Sequence, residues 1–302
     1  MLKAVILIGG PLKGTRFRPL SLDIPKPLFP IAGLPMIQHH IEACALLPNL
    51  TEVLIIGSYQ TSDLSQFIQE VGNKGLAVKY LQEYKPLGTA GSLYHFRDQI
   101  RAGNPSYFFI MNGDVCADFP LQEMIDFHSK KQSLLTLMAT EATRQQSLNY
   151  GCIVLNKDGT VTHYVEKPST FVSTVINCGV YITSPDIFQI MSTVFNDKQN
   201  QEIFTQLNGN GKDPAYMALE KDILARLAGT EQLYALLIKR LWSQVKTAGA
   251  AIYANRHYLS LYRINQPKKL ALTTNVPCHI IGDVYIHPTA NVHSSAVVWF
   301  LF

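Results

Sequence analysis

The chain has 302 residues, 47% hydrophobic and 16% charged, with a formal net charge of +4. That length allows one large domain or two smaller ones around a sizeable core, and so mild a charge, with no block of five like charges, excludes the usual basic nucleic-acid binder. No stretch approaches the ~20 apolar residues of a membrane span, and the short apolar run after Lys3 lacks the cleavage site of a signal peptide.

The first element is a buried strand at 4–8, Ala-Val-Ile-Leu-Ile. It runs into Gly9-Gly10-Pro11-Leu12-Lys13-Gly14-Thr15-Arg16-Phe17-Arg18-Pro19-Leu20, followed by Pro25-Lys26-Pro27-Leu28. Glycines let backbone N–H groups turn toward an anion, and Lys13, Arg16, Arg18 and Lys26 add full charges against Asp23 alone. A strand feeding such a loop is a place to hold phosphate; taken alone, a tight surface turn with solvated charges reads equally well. Gly9 and Gly14 have P-loop spacing, but Thr15-Arg16 stands where Lys-Ser/Thr is required, and no G-x-G-x-x-G is present here. A P-loop enzyme and a dinucleotide-binding dehydrogenase are thereby excluded.

Helices are predicted at 36–47, over Leu64 to Val71 and at 88–100, with strands at 53–56, 77–81 and 107–111. Strands alternating with helices predict a Rossmann-like α/β first half with a parallel sheet. Ligands of such sheets collect beyond the carboxyl ends of the strands. There stand Gln82-Glu83, the helix start Leu87-Gly88-Thr89-Ala90-Gly91 with its expected free N–H groups, and Asn112-Gly113-Asp114. Asp114 is a candidate magnesium ligand; a plain capped helix start and a turn aspartate are the bland alternatives.

The second half is less regular. A strand is predicted at 133–140, and a β-hairpin from Tyr150-Gly151 through the turn at 156–159 to Val165. Glu166-Lys167-Pro168 follows, then an apolar segment containing Asn177 and Gly179. On its own, Glu166-Lys167 reads as an exposed ion pair. A helix is predicted at 248–262, with Tyr253, His257, Tyr258 and Leu261 as packing residues on one side. The histidines show no zinc spacing. The five cysteines, Cys44, Cys116, Cys152, Cys178 and Cys278, are scattered and read as reduced core thiols of a cytoplasmic protein. After Val276-Pro277, Ile286, Val292 and Val298 recur every six residues with Ala290 and Ala296 in step, as in hexapeptide repeats. Few such repeats precede the apolar end at Phe300-Leu301-Phe302, so a shortened form of a longer protein is expected; an ordinary strand pairing is the alternative.

Gly9-Gly10, Gly14-Thr15-Arg16, Arg18-Pro19-Leu20 and Pro25-Lys26-Pro27 together resemble the sugar nucleotidyltransferase signature, roughly G-G-x-G-T-R-L-x-P-L followed by P-K-P. The chain resembles GDP-mannose pyrophosphorylases (mannose-1-phosphate guanylyltransferases), and within them the alpha, regulatory subunit type. The long opening loop, the run from Met36 to Cys44 and the segment from Gln146 to Val154 carry that closer likeness. The resemblance covers nearly the whole chain. It implies a mixed, mainly parallel α/β nucleotidyltransferase domain at 1–262, then a linker and the start of a left-handed parallel β-helix at 263–302.

What the resemblance implies about the site is specific. Arg16 and Lys26 stand at catalytic positions. Gly9, Gly10, Gly14, Thr15, Gln82, Gly88, Thr89 and Asn112 stand along the nucleotide. Tyr150, Gly151, Glu166, Lys167, Asn177 and Gly179 stand around the sugar phosphate, and Asp114 at the metal. Family chemistry has the phosphate of mannose-1-phosphate attack the α-phosphorus of GTP, releasing pyrophosphate, with magnesium held by two carboxylates. Two departures weaken that reading. Trp242-Ser243-Gln244 places Gln244 where the second acid belongs, and the glycine loop is two residues longer than the pattern. A neighbouring acid such as Asp222 is an available substitute. The expected function is a regulatory subunit that binds GDP-mannose and signals to a catalytic beta-type subunit in homo- and hetero-oligomers, with Mg2+ needed only if the chain is catalytic. An active guanylyltransferase and a purely structural subunit are the alternatives.

Overall fold

Residues 2–9 are apolar at every position but Lys3 until the closing glycine, which fits a strand buried on both faces. In the computed structural model of the chain, Leu2–Gly9 is that strand. Lys3 is buried with it because its ammonium pairs with Glu52 at 2.7 Å and donates to Gln99 O at 3.0 Å. The structure describes residues 1–12, 14–72, 75–206 (backbone only from 201), 216–272 and 277–299. Lys13, Val276 and the terminal Phe300, Leu301 and Phe302 lie outside the described residues.

The chain divides into two compact units. The first comprises residues 1–13, 40–113 and 119–239. Its four parallel strands stand in the order Tyr107–Asn112, Leu2–Gly9, Leu50–Gly57, Ala77–Gln82. Val175–Thr183 then pairs antiparallel with Tyr107–Asn112 and with Leu135–Glu141, and Leu233–Leu237 runs parallel beside Leu135–Glu141. The hairpin of Gly151–Leu155 with Val161–Glu166 completes this mixed sheet. A core in this unit includes Val5, Leu54, Ile56, Phe108, Ile110, Leu137 and Tyr181.

The predicted first-half elements are present, with shifted ends. Thr61–Gly72 is a helix that buries Leu64, Phe67 and Val71, with Asp63 favourably placed at its positive end. The helix predicted at 88–100 is two, Gly88–His95 and Arg97–Arg101. Phe96 leaves helical geometry between them while its ring stays buried, so packing outcompetes helix continuity there. Leu121–Lys131 and Ile187–Gln206 are helices with no counterpart in the sequence reading.

The second unit comprises residues 14–39, 114–118 and 240–302. Its core gathers Phe17, Ile31, Met36, Cys116, Val245, Ala251, Ala254, Tyr258 and Tyr262. The helix Ala248–Asn265 buries Ala251, Ala254, Tyr258, Leu259 and Tyr262. Tyr253, predicted to pack, is 65% exposed. It lies about 140° around the helix from Tyr258, five residues on at about 100° each, and so falls outside the buried stripe. In the tail, His279–Ile281 pairs parallel with Val297–Trp299, each residue facing the one eighteen positions on. Ile286, Val292 and Val298 are each half-buried.

Candidate functional site

The candidate residues fall into two groups, one in each unit. In the first unit the opening strand ends at Gly9, whose carbonyl accepts from Ser58 N at 2.7 Å. Gly10 packs closely on Ser58: a Cβ there would overlap the serine hydroxyl, which would have to rotate away. Gln82 is the last residue of its strand, and Thr61 Oγ1 donates to its side-chain oxygen at 2.8 Å. That leaves the Gln82 amide N–H2 as the oriented donor. Asn112 ends its own strand, and its carbonyl accepts from His40 Nε2 at 3.1 Å.

At Gly88 the structure departs from expectation. The N–H groups of Ala90 and Gly91 are not free: both donate to Met217 O, at 3.0 and 3.1 Å. Leu219 N donates to Thr89 Oγ1 at 2.7 Å, and that hydroxyl donates to Glu220 Oε2 at 3.0 Å. The segment from Met217 to Glu220 therefore satisfies the helix start that the sequence suggested for a ligand. Gly88 has φ +78°, and a Cβ there would strike the Met217 carbonyl. Asp222, the suggested substitute acid, anchors the same segment: its Oδ2 accepts from Ala218 N and pairs with Lys198, each at 2.7 Å.

The sugar-phosphate candidates form one network in this unit. Glu166 and Gly151 are partners across the hairpin, and Lys167 N donates to Tyr150 O at 3.1 Å. Lys167 Nζ pairs with Glu166 Oε1 at 2.7 Å, and Tyr164 donates to Glu166 Oε2 at 2.8 Å. Asn177 Nδ2 reaches the hydroxyls of Tyr181 at 2.7 Å and Tyr164 at 3.2 Å, and Asn177 Oδ1 accepts from Gly179 N at 3.0 Å. Burial pushes the Tyr164 and Tyr181 phenols well up, so both stay protonated hydrogen-bonding groups at neutral pH. Burial also raises Glu220, with the Glu166 charge adding to it. Lys167 holds φ +48°, an uncommon conformation for a lysine. The result is an acid, a base and an amide at fixed positions, a set able to bind sugar hydroxyls and a phosphate. Glu220 and Tyr164 were missed from sequence, since nothing local marks a contact between residues 89 and 220.

In the second unit Thr15–Phe17 is a short helical turn after Gly14, with Arg16 exposed and Phe17 buried against Phe29. Lys26 Nζ lies 3.0 Å from Asp114 Oδ2. Gln244 Nε2 donates to Asp114 Oδ1 at 2.8 Å. These residues meet because Val115–Ala117 pairs antiparallel with Trp242–Gln244, setting Gln244 opposite Val115, while Val245 N donates to Asp114 O at 2.8 Å. Both oxygens of the one carboxylate therefore already face donors. Among the described residues, no group of three or more His, Cys, Asp or Glu is placed to hold a metal ion. The donor set does not fit magnesium, which asks for oxygen ligands.

The nucleotidyl transferase family pattern matches residues 3–259. A Drosophila melanogaster relative named mannose-1-phosphate guanylyltransferase regulatory subunit alpha is 54% identical over 307 aligned positions, covering 95% of this chain and 70% of that one. The human relative of the same name is 53% identical, covering 96% of this chain and 70% of its own. Among solved structures, HddC from Yersinia pseudotuberculosis complexed with GMP-PN is similar, with a TM-score of 0.63 at 24% identity, over 85% of this chain and 100% of that one. A Bacillus anthracis structure solved as a candidate glucose-1-phosphate thymidylyltransferase has a TM-score of 0.69 at 18% identity, over 85% of this chain and 94% of that one. These two likenesses speak to the fold. The chain belongs to the nucleotidyl transferase family and, within it, to the regulatory alpha subunits of mannose-1-phosphate guanylyltransferase.

Proposed function

We infer that this chain binds GDP-mannose and reports its level to a catalytic beta-type subunit, without turning over GTP at its own site. The observation that carries the reading is Gln244 beside Asp114: an amide stands where transfer chemistry of this family uses a second carboxylate. Nucleotidyl transfer depends on neutralising charge at the attacked phosphate and the leaving group. Removing one of the two acids that gather the metal removes much of that stabilisation.

The network around Glu166 supports retained binding. In this reading Glu166 accepts from sugar hydroxyls and Lys167 meets the sugar-linked phosphate. In the first unit Gln82 and Asn112 follow the nucleotide with Gly9 and Gly10; in the second, Arg16 and Lys26 are the charges for phosphate oxygens. Signalling to a partner requires that GDP-mannose bind one assembly state better than another. The eighteen-residue parallel register between His279–Ile281 and Val297–Trp299 suits a coil of three hexapeptides, a surface on which homo- and hetero-oligomers could build. The five cysteines are free, which suits a reducing, cytoplasmic setting. No helix among the described residues is long and apolar enough to cross a membrane.

Two measurements on the purified chain test this. Isothermal titration with GDP-mannose is expected to give saturable binding. A pyrophosphate-release assay with GTP, mannose-1-phosphate and magnesium is expected to show none. Turnover that Asp114→Ala abolishes would overturn the regulatory reading; absence of GDP-mannose binding would leave a structural role.

A further inference from the structure

The three side chains at the family's metal position already form a closed electrostatic unit. Asp114 is 26% exposed and Lys26 14% exposed, with the ammonium 3.0 Å from one carboxylate oxygen. The Gln244 amide nitrogen takes the other at 2.8 Å. Turning the Gln244 amide over would set its oxygen against Asp114 Oδ1, two acceptors with no proton between them. The amide is therefore fixed with its donor toward the acid. Counting charge gives the consequence: one carboxylate and one ammonium cancel. With an acid at 244 the same cluster would carry a net negative charge and would draw in a cation. As it stands, a divalent ion would have to displace the Lys26 ammonium and find an N–H2 group where an oxygen ligand should be.

We propose that Lys26 stands in for the metal in this chain: its ammonium, tethered by Asp114, which Gln244 orients, supplies the positive charge at the diphosphate, and nucleotide-sugar binding here is independent of divalent ions. The tether has a chemical purpose. A lysine held by one carboxylate keeps donors available for phosphate oxygens, because an ammonium has three. A point charge of this kind binds a diphosphate, yet it cannot bridge the attacked phosphate and the leaving pyrophosphate as a multiply coordinated metal does. The arrangement thus favours holding product over making it. Gln244 acts as a positioning residue, orienting the carboxylate that orients Lys26.

The inference rests on GDP-mannose binding as read above, so its test has an arm that needs no nucleotide. Electron paramagnetic resonance of Mn2+ titrated into the whole chain is expected to show no bound ion attributable to Asp114: wild type and Asp114→Asn give the same free-ion signal. Gln244→Asp and the equal-length Gln244→Glu are expected to bind Mn2+ at least about tenfold more tightly than wild type. The use of both keeps the test valid if one fails to fold. Calorimetry with GDP-mannose is expected to give affinities within about twofold in EDTA and in magnesium. A Mn2+ ion bound by wild type and lost in Asp114→Asn would overturn the proposal, as would a loss of about tenfold or more in GDP-mannose affinity in EDTA. Failure of both acid variants to gain Mn2+ would also overturn it, since Gln244 would not be what excludes the metal. If GDP-mannose does not bind in either buffer, the functional reading fails, and the Mn2+ arm still decides whether the site holds a metal.

Discussion

Thr89 Oγ1 donates to Glu220 Oε2 at 3.0 Å and accepts from Leu219 N at 2.7 Å, so one hydroxyl ties together two segments of the first unit 131 positions apart in sequence. Thr89→Val keeps the shape and removes both bonds. It leaves the half-buried Glu220 carboxyl and the Leu219 N–H short of a partner. The expected cost is about 1–3 kcal/mol in urea unfolding, with Thr89→Ser recovering most of it. An unchanged midpoint in Thr89→Val would show that the hydroxyl does not hold the segment.

Gly88 tests the same contact from the backbone side. Its φ of +78° disfavours any side chain, and a Cβ would meet the Met217 carbonyl. Gly88→Ala is expected to destabilise by about 2 kcal/mol or more, read as a lowered melting temperature. Gly72→Ala serves as the control. There a Cβ meets nothing within 4 Å, so its melting temperature should stay close to wild type.

His128 sets an acid limit on stability. Its Nδ1 lies 2.9 Å from both Ser133 Oγ and Thr136 Oγ1, and burial pushes its pKa from 6.5 down to about 4. The unfolded chain binds the proton more readily than the folded one. The contribution is therefore complete above about pH 6.5 and is lost as pH falls toward 4, on the order of 3 kcal/mol at most. Denaturant midpoints across this range should fall in wild type and flatten in His128→Gln. Equal slopes for the two proteins would assign the acid sensitivity elsewhere.

Lys167 is 60% exposed while its partner Glu166 is 13% exposed, so removing the lysine charge disturbs folding little. Lys167→Ala is expected to weaken GDP-mannose binding by about tenfold or more, the worth of a charge-assisted contact to phosphate, with an unaltered melting temperature. Affinity equal to wild type would remove Lys167 from the site.

The amino-acid sequence by itself determined the first half of the fold and the identity of the chemistry-bearing residues. Short, glycine-bounded apolar runs such as residues 4–8 and 53–56 fit strands buried on both faces, and the stripe from Leu64 to Val71 fits a helix with one wet side. These signals are local, so they survive without a partner. The helix at Ile187–Gln206 carries little contrast between its faces, and local periodicity left it unread. The helix break at Phe96 and the outward turn of Tyr253 are likewise set by what the neighbouring chain leaves room to bury.

The site divides in the same way. The substitution of Gln244 for an acid was legible from three consecutive residues, Trp242-Ser243-Gln244. Which way its amide points, and that Lys26 and Gln244 claim separate oxygens of Asp114, was decided only by the pairing of Val115–Ala117 with Trp242–Gln244. The occupation of the helix start at Gly88 by Met217 and Glu220 was decided the same way. A hydrogen bond is satisfied by whichever group the fold brings within about 3 Å, and sequence neighbourhood says nothing about a partner more than a hundred residues away.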